Sequence, residues 1–207
     1  MASQLVGLIK QLSWQDFGTP RVGKAPGPGQ TLTAAETHAP VLPGSFWFDP
    51  VSPPLKVPKY HLRDNVTVTV TFDTKKSFVM AWVFATPQAD QTRLLNHEQG
   101  HYNISALVGR DFFIDVMQIK AKQFTKPQDG LAEVTALNKA SLSKIQAIDD
   151  LYDVDTKNGN DSTGQNQWNT FLQNAFTQAR PNGETSPSGV PYKMRLIDLL
   201  KAAGKKI

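Results

Sequence analysis

His97-Glu98-Gln99-Gly100-His101 places two imidazoles four residues apart with a carboxylate next to the first. On a helix, residues four apart share a face, so both rings reach one metal ion, while the carboxylate, offset by one residue, reaches a water held by that ion. This is the HExxH spacing of zinc sites, in which the metal makes water acidic and the glutamate accepts its proton. The chain has 207 residues, of which four are His and four are Glu, so three of these eight falling within five positions is informative.

The element that must carry the motif is a helix. Leu94, His97, His101, Ile104, Val108 and Phe112 recur at steps of three and four and form one stripe that is apolar apart from the two histidines. Histidines on a core-facing stripe need hydrogen-bond partners or a ligand, and a bound cation satisfies both while leaving them neutral. Gly100 lies inside this helix at a cost of about 0.5–1 kcal/mol relative to alanine, which a close approach by another segment or ordinary packing would explain.

A catalytic zinc has three protein ligands and one open position, so the two histidines need a partner from elsewhere. There is no cysteine, which removes disulfides, thiolate ligands and thiol nucleophiles together and leaves His, Asp or Glu. A second predicted helix, Leu131 to about Asp155, supplies Glu133 near its start and Asp149, Asp150, Asp153 and Asp155 near its end. His38 and His61 fall in irregular segments and are expected to be exposed and not to ligate.

Length favours one domain over two. No stretch approaches eighteen apolar residues, so no membrane-spanning helix is expected. The short apolar run Leu5 to Ile9 has no basic leader before it and no small-residue cleavage site after it, so no signal peptide is expected; this slightly favours the cytoplasm over an exported mature form. The formal charge of +4 and pI near 9.2 are modest, and lysines are scattered with no basic run longer than the pair Lys205-Lys206, so nucleic-acid binding is not expected. Oligomeric state is not encoded in any of these features.

Along the chain, Gly23 to Gly29 reads as a loop, and Pro40 to Pro58 carries six prolines around Phe46, Trp47 and Phe48 and reads as extended and irregular. Val66, Val68, Val70 and Phe72 alternate with threonines as in a half-buried strand. Ser77 to Phe84 reads as a second strand after a turn at Asp73 to Lys76, and the two together suggest a hairpin. The motif helix is predicted from Asp90 to about Lys122, where Pro127 and Gly130 end the pattern. Lys157 to Gly164 reads as a loop, Gln165 to Ala179 as a third helix with Trp168, Leu172 and Phe176 inward, Pro181 to Pro191 as a linker, and Met194 to Ala203 as a short amphipathic helix. Residues 1–180 then form the main domain and 181–207 the linker and terminal helix. Strands followed by helices predict an α+β fold: a small antiparallel sheet, a long HExxH helix and further packed helices.

Several ordered blocks resemble the bacterial zincin-like family known as domain of unknown function 922. They are Leu12-Ser13-Trp14-Gln15-Asp16-Phe17, the strand opening Ser77-Phe78, the central Leu94-Leu95-Asn96-His97 through Tyr102, and a later block comprising Tyr152-Asp153, Thr156, Gly159, Gln165 and Trp168. The resemblance spans Leu12 to Trp168. It departs at Asn158, where the family usually has histidine, and in extra residues between Gly159 and Gln165.

The resemblance implies a zincin-like fold and a zinc-dependent peptidase, frequently exported, acting on peptides or proteins of unassigned identity. It singles out Asp153 as third ligand beside His97 and His101, with Glu133 and Asn158 as alternatives and Glu98 as general base. Tyr152 is expected as an oxyanion donor where the helix unwinds, Tyr102 as a packing residue, and Trp14 and Asp16 as structural residues that could also support the site. A competing reading, motivated by Asn158, is a catalytically inactive zinc-binding or interaction protein that keeps the scaffold.

Overall fold

Val66, Val68 and Val70 are buried and the threonines between them half-buried, the two-residue alternation expected of a strand with one face on a core. The computed structural model describes residues 2–27, 33–51, 57–185, 189 and 191–207. Parts of the predicted loop Gly23 to Gly29, of the irregular segment Pro40 to Pro58 and of the linker Pro181 to Pro191 lie outside the described residues.

The strands are short: β1 (Gln4–Val6), β2 (Ala35–Glu36), β3 (Val41–Pro43), β4 (Phe48–Pro50), β5 (Tyr60–Leu62), β6 (Thr67–Val70) and β7 (Phe78–Val79). β6 lies at the centre of a three-stranded sheet, parallel to β1 and antiparallel to β3, while β2 pairs with β7 and β4 with β5, both antiparallel. The predicted hairpin is therefore not formed. Asp73 accepts backbone N–H bonds from Lys75 and Lys76 through its carboxylate and from Ser77 through its carbonyl, and this turn sends Phe78–Val79 onto β2. Beyond Val79 the chain coils into a 3-10 turn, Ala81–Ala85, instead of continuing as strand. Alternation identifies a strand but not its partner.

Among the described residues four helices complete an α+β architecture: α1 (Gln88–Ile119), α2 (Pro127–Thr156), α3 (Ser162–Thr177) and α4 (Leu196–Ala202). From Ile104 onward α1 is buried almost all round, because the sheet packs on one side and α2, α3 and α4 on the other. Pro127 and Gly130, expected to stop the preceding pattern, instead begin α2; proline suits the first helical turn, where its missing N–H has no intrahelical acceptor to lose. The connection between α2 and α3 is shorter than expected. Lys157, Asn158 and Gly159 all have positive φ (49°, 53° and 76°), reversing the chain, and Asp161 caps α3 by accepting from the N–H groups of Thr163 and Gly164.

The C-terminal stretch, expected as a linker and terminal helix, buries Leu196 and Leu200 in the cluster that contains Ile148, Tyr152 and Trp168. The buried Arg110 of α1 ties it down, donating to the carbonyls of Ala175 and Met194. No helix among the described residues is long and apolar enough to cross a membrane.

Candidate metal centre

α1 and α2 run antiparallel, so a four-residue step forward on one matches a four-residue step back on the other. His97 meets Asp153 and His101 meets Asp149. His97 Nε2 and His101 Nε2 stand 3.3 Å apart, and Asp153 Oδ1 is 3.1 Å from each. Among the described residues these three form the one group of imidazole and carboxylate side chains able to hold a metal ion. On a tetrahedral zinc with bonds of about 2.0–2.1 Å, ligand atoms stand roughly 3.3 Å apart. The observed triangle has nearly that edge, so the donor set and its spacing fit the ion.

The outer ring nitrogens are held in the way such ligands require. His101 Nδ1 lies 2.9 Å from Asp149 Oδ1, and His97 Nδ1 lies 3.3 Å from Gln165 Oε1 and 3.4 Å from Thr156 Oγ1. An N–H directed to these oxygens leaves the Nε2 lone pairs facing Asp153 and the space between the rings. Burial opposes charge on His101, but its hydrogen bonds to Asp149 and Asp153 prevail and push its pKa up to about 10. Burial works the other way on Asp153, yet the hydrogen bonds from His101 and His97 hold its carboxyl well below the usual range. At Asp149 burial dominates and raises the carboxyl despite the His101 contact.

Glu98 is 2% exposed, and burial raises its pKa against the pull of the two histidines. The hydroxyl of Thr37, just past β2, works with the histidines against that rise, although neither Thr37 Oγ1 nor Glu98 Oε2 makes a well-formed hydrogen bond. A buried carboxylate oxygen without a hydrogen-bond partner therefore stands one residue along from the His97–His101–Asp153 triangle.

Tyr152 does not serve the cleft. Its hydroxyl donates to the carbonyl of His97 at 3.0 Å and accepts from Gln165 Nε2 at 2.7 Å, and its ring stacks on the His97 imidazole with centroids 4.7 Å apart and planes 14° apart. The phenol is fully buried with its oxygen committed on both sides, so it supports His97 instead of donating to an oxyanion. This explains Gly100: a Cβ there would lie 2.9 Å from Tyr152 Cε1 and closer still to Cζ and the hydroxyl. Gly159 serves the same ring, since a Cβ on it would stand 2.8 Å from His97 Cβ. Trp168 closes the stack edge-on to Tyr152, its indole N–H donating to Asp155.

The alternatives for the third ligand lie elsewhere. Glu133 pairs with Lys122, twenty positions before Asp153 and so about 30 Å away along α2. Asn158 sits in the left-handed turn and lines the cleft wall. His61 is half-buried on β5 with Nδ1 near the Leu62 carbonyl, and His38 is half-buried with Nδ1 enclosed and unpartnered, so neither is exposed as expected and neither joins the cluster. The remaining sequence candidates are structural. Tyr102 is buried and donates to the Gly7 carbonyl, Asp16 takes the Ser13 N–H and pairs with Lys10, and Trp14 packs on Phe17 and Phe84. Gln99, unassigned by the sequence reading, pins the N-terminal segment by accepting from Leu12 N and donating to the Lys10 carbonyl. Asp149 and Gln165 were also missed as supports of the two histidines. The signal for Asp149 was present: Asp149 and Asp153 repeat on α2 the four-residue spacing of His97 and His101.

The cluster opens into a cleft of about 1110 Å³ between β2 and the α1–α2 groove. Comparison with protein-family models, curated proteins and solved structures gives no match to this chain.

Proposed function

We propose that the protein is a zinc-dependent metallopeptidase with a zincin-like arrangement, His97, His101 and Asp153 holding the ion and Glu98 acting as general base. The observation that carries this reading is the 3.1–3.3 Å triangle of His97 Nε2, His101 Nε2 and Asp153 Oδ1 with the buried Glu98, whose Oε2 has no hydrogen-bond partner, one residue along. When bound, zinc supplies polarisation of a carbonyl and a water whose pKa falls from about 15.7 toward about 7.

The chain's own groups do the rest. Asp149 and Gln165 fix the two rings so that their Nε2 atoms face the ion. Glu98, desolvated and therefore a stronger base than an exposed carboxylate, accepts the proton of the attacking water and delivers it to the leaving amine nitrogen. Tyr152 and Gly100 hold the backbone and ring of His97 in place during both transfers.

The ordered sequence blocks that resemble the family of unknown function 922 point to the same activity on peptide or protein substrates, although no family model matches the chain. Metal analysis together with a protease assay tests it: one zinc per chain and peptide cleavage that phenanthroline abolishes are expected. Stoichiometric zinc without cleavage of a broad peptide library would replace this reading by the inactive zinc-binding protein.

A further inference from the structure

The cleft extends well past the metal-ligand cluster on both sides. Along α1 its wall runs from Asp90 to Ser105, with His97 and His101 between. Fifteen residues of helix cover about 22 Å. An extended chain rises about 3.3 Å per residue, so that length matches six to seven residues. The volume of about 1110 Å³ also exceeds the roughly 300–1,000 Å³ of a site for one small molecule.

The end at the start of α1 carries a guanidinium among mixed neighbours: Arg93 donates to the Gly159 carbonyl and to Asn160 Oδ1, Asn158 lies alongside, and Leu94 and Trp82 also line the wall. At the other end, the antiparallel register that pairs His97 with Asp153 and His101 with Asp149 brings Ser105 to Ile145, and the lining there is Ile145, Leu142 and Val41. Leu142 is 42% exposed, a large apolar side chain left open to the cleft. Ser105 and Ile145 each lie one helical turn, about 6 Å, beyond the His101–Asp149 pair and Leu142 lies about 10 Å beyond it, which is about two to three residues of extended chain.

We propose that the cleft takes an extended polypeptide of about six residues lying across the metal cluster, as an endopeptidase does, with an apolar side chain seated on Leu142 and Ile145 about two to three residues from the reacting carbonyl. The chemistry of the cut rests on the function proposed above, but the length and side-chain preference are properties of the cleft and are read separately by binding.

The test uses the zinc-loaded Glu98→Gln protein and fluorescein-labelled peptides with blocked ends, three to ten residues long, in which leucine or aspartate is scanned through a neutral sequence. Fluorescence anisotropy should show affinity rising about tenfold or more up to roughly six residues and then levelling, with leucine preferred over aspartate by about tenfold at one position. Leu142→Asp should remove that preference and keep the length dependence. Leu142→Ala, which introduces no charge, should weaken the preference in the same direction. Wild-type protein should cut the long peptides internally, with leucine about two to three residues from the cut.

The inference is overturned if tripeptides bind as well as decapeptides, if a free terminus is required, or if the leucine preference survives both Leu142 variants. A wild-type protein that cuts nothing while the binding pattern persists leaves this inference standing as a peptide-binding cleft and removes only the hydrolytic function.

Discussion

Gly100→Ala is the sharpest perturbation of the site that leaves every ligand in place. In an ordinary helix interior it would stabilise by about 0.5–1 kcal/mol through backbone entropy. Here the new methyl is driven into the Tyr152 phenol, which cannot retreat because it is fully buried between His97 and Trp168. Overpacking of this kind costs about 1–3 kcal/mol. Displacing the hydroxyl from the His97 carbonyl and Gln165 strands buried polar groups at about 1–3 kcal/mol more. The net expectation is a destabilisation of about 3 kcal/mol, together with weaker zinc binding on the order of 10–100-fold because the His97 ring loses its stacking support. Urea unfolding followed by circular dichroism in EDTA reads the first effect without contribution from metal, and chelator competition reads the second. The sign should invert when the obstacle is removed: in a Tyr152→Ala background, Gly100→Ala should stabilise by up to about 1 kcal/mol. A Gly100→Ala protein at least as stable as wild type in EDTA, with unchanged zinc affinity, would refute the packing argument.

Four further outcomes follow from the same geometry. Glu98→Gln should abolish peptide hydrolysis while keeping one equivalent of zinc, whereas His101→Ala should lose both, as read by metal analysis and a peptidase assay. Asp149→Asn should lower zinc affinity by about 10–100-fold without unfolding the chain, since it leaves His101 Nδ1 a neutral in place of a charged acceptor and touches no other ligand atom; chelator competition and circular dichroism distinguish the two effects. Gly159→Ala should lose both stability and zinc affinity, because φ of 76° disfavours any side chain there and the new Cβ meets His97 Cβ at 2.8 Å. In the metal-free protein His101 holds its proton up to about pH 10, above the ordinary histidine value, so zinc must displace that proton. Binding should therefore release it and strengthen by about tenfold per pH unit from pH 7 to 9, measured by calorimetry in buffers of different ionisation enthalpy.

The sequence made the helices and the motif face legible because a 3.6-residue stripe and a four-residue ligand spacing are local properties of the chain. His97, His101 and the α2 carboxylates needed only an antiparallel packing of two amphipathic helices to meet. The strand pairing was not legible. β6 reads clearly as a strand, yet its neighbours come from Gln4–Val6 and Val41–Pro43, and nothing in a two-residue alternation encodes a partner sixty positions away. Pro127 and Gly130 were misread for a related reason: both punctuate helices, and only the following stripe tells a start from a stop. The role of Tyr152 depends on a contact with Gly100 fifty-two positions away, so its motif position suggested chemistry where the fold uses it for support.

The burial of charge at this site argues for a cation on energetic grounds independent of any motif. Asp149, Asp153 and Glu98 converge on two imidazoles, and Arg93, the guanidinium at the cleft wall, is engaged by Gly159 and Asn160. Leaving the Glu98 oxygen desolvated and unpaired costs on the order of several kcal/mol, and apolar residues of similar volume would pack there at no such cost. The Nε2 atoms of His97 and His101 face each other at 3.3 Å, where two neutral imidazoles with opposed lone pairs repel unless a proton or a metal lies between them. Holding them there takes two positions without a Cβ, a left-handed turn at Lys157 and Asn158, and a tyrosine whose hydroxyl is committed to the His97 carbonyl and the Gln165 amide. Each of these features gives up stability or conformational freedom, and the proposed divalent ion, held by the two rings and Asp153, would offset them together.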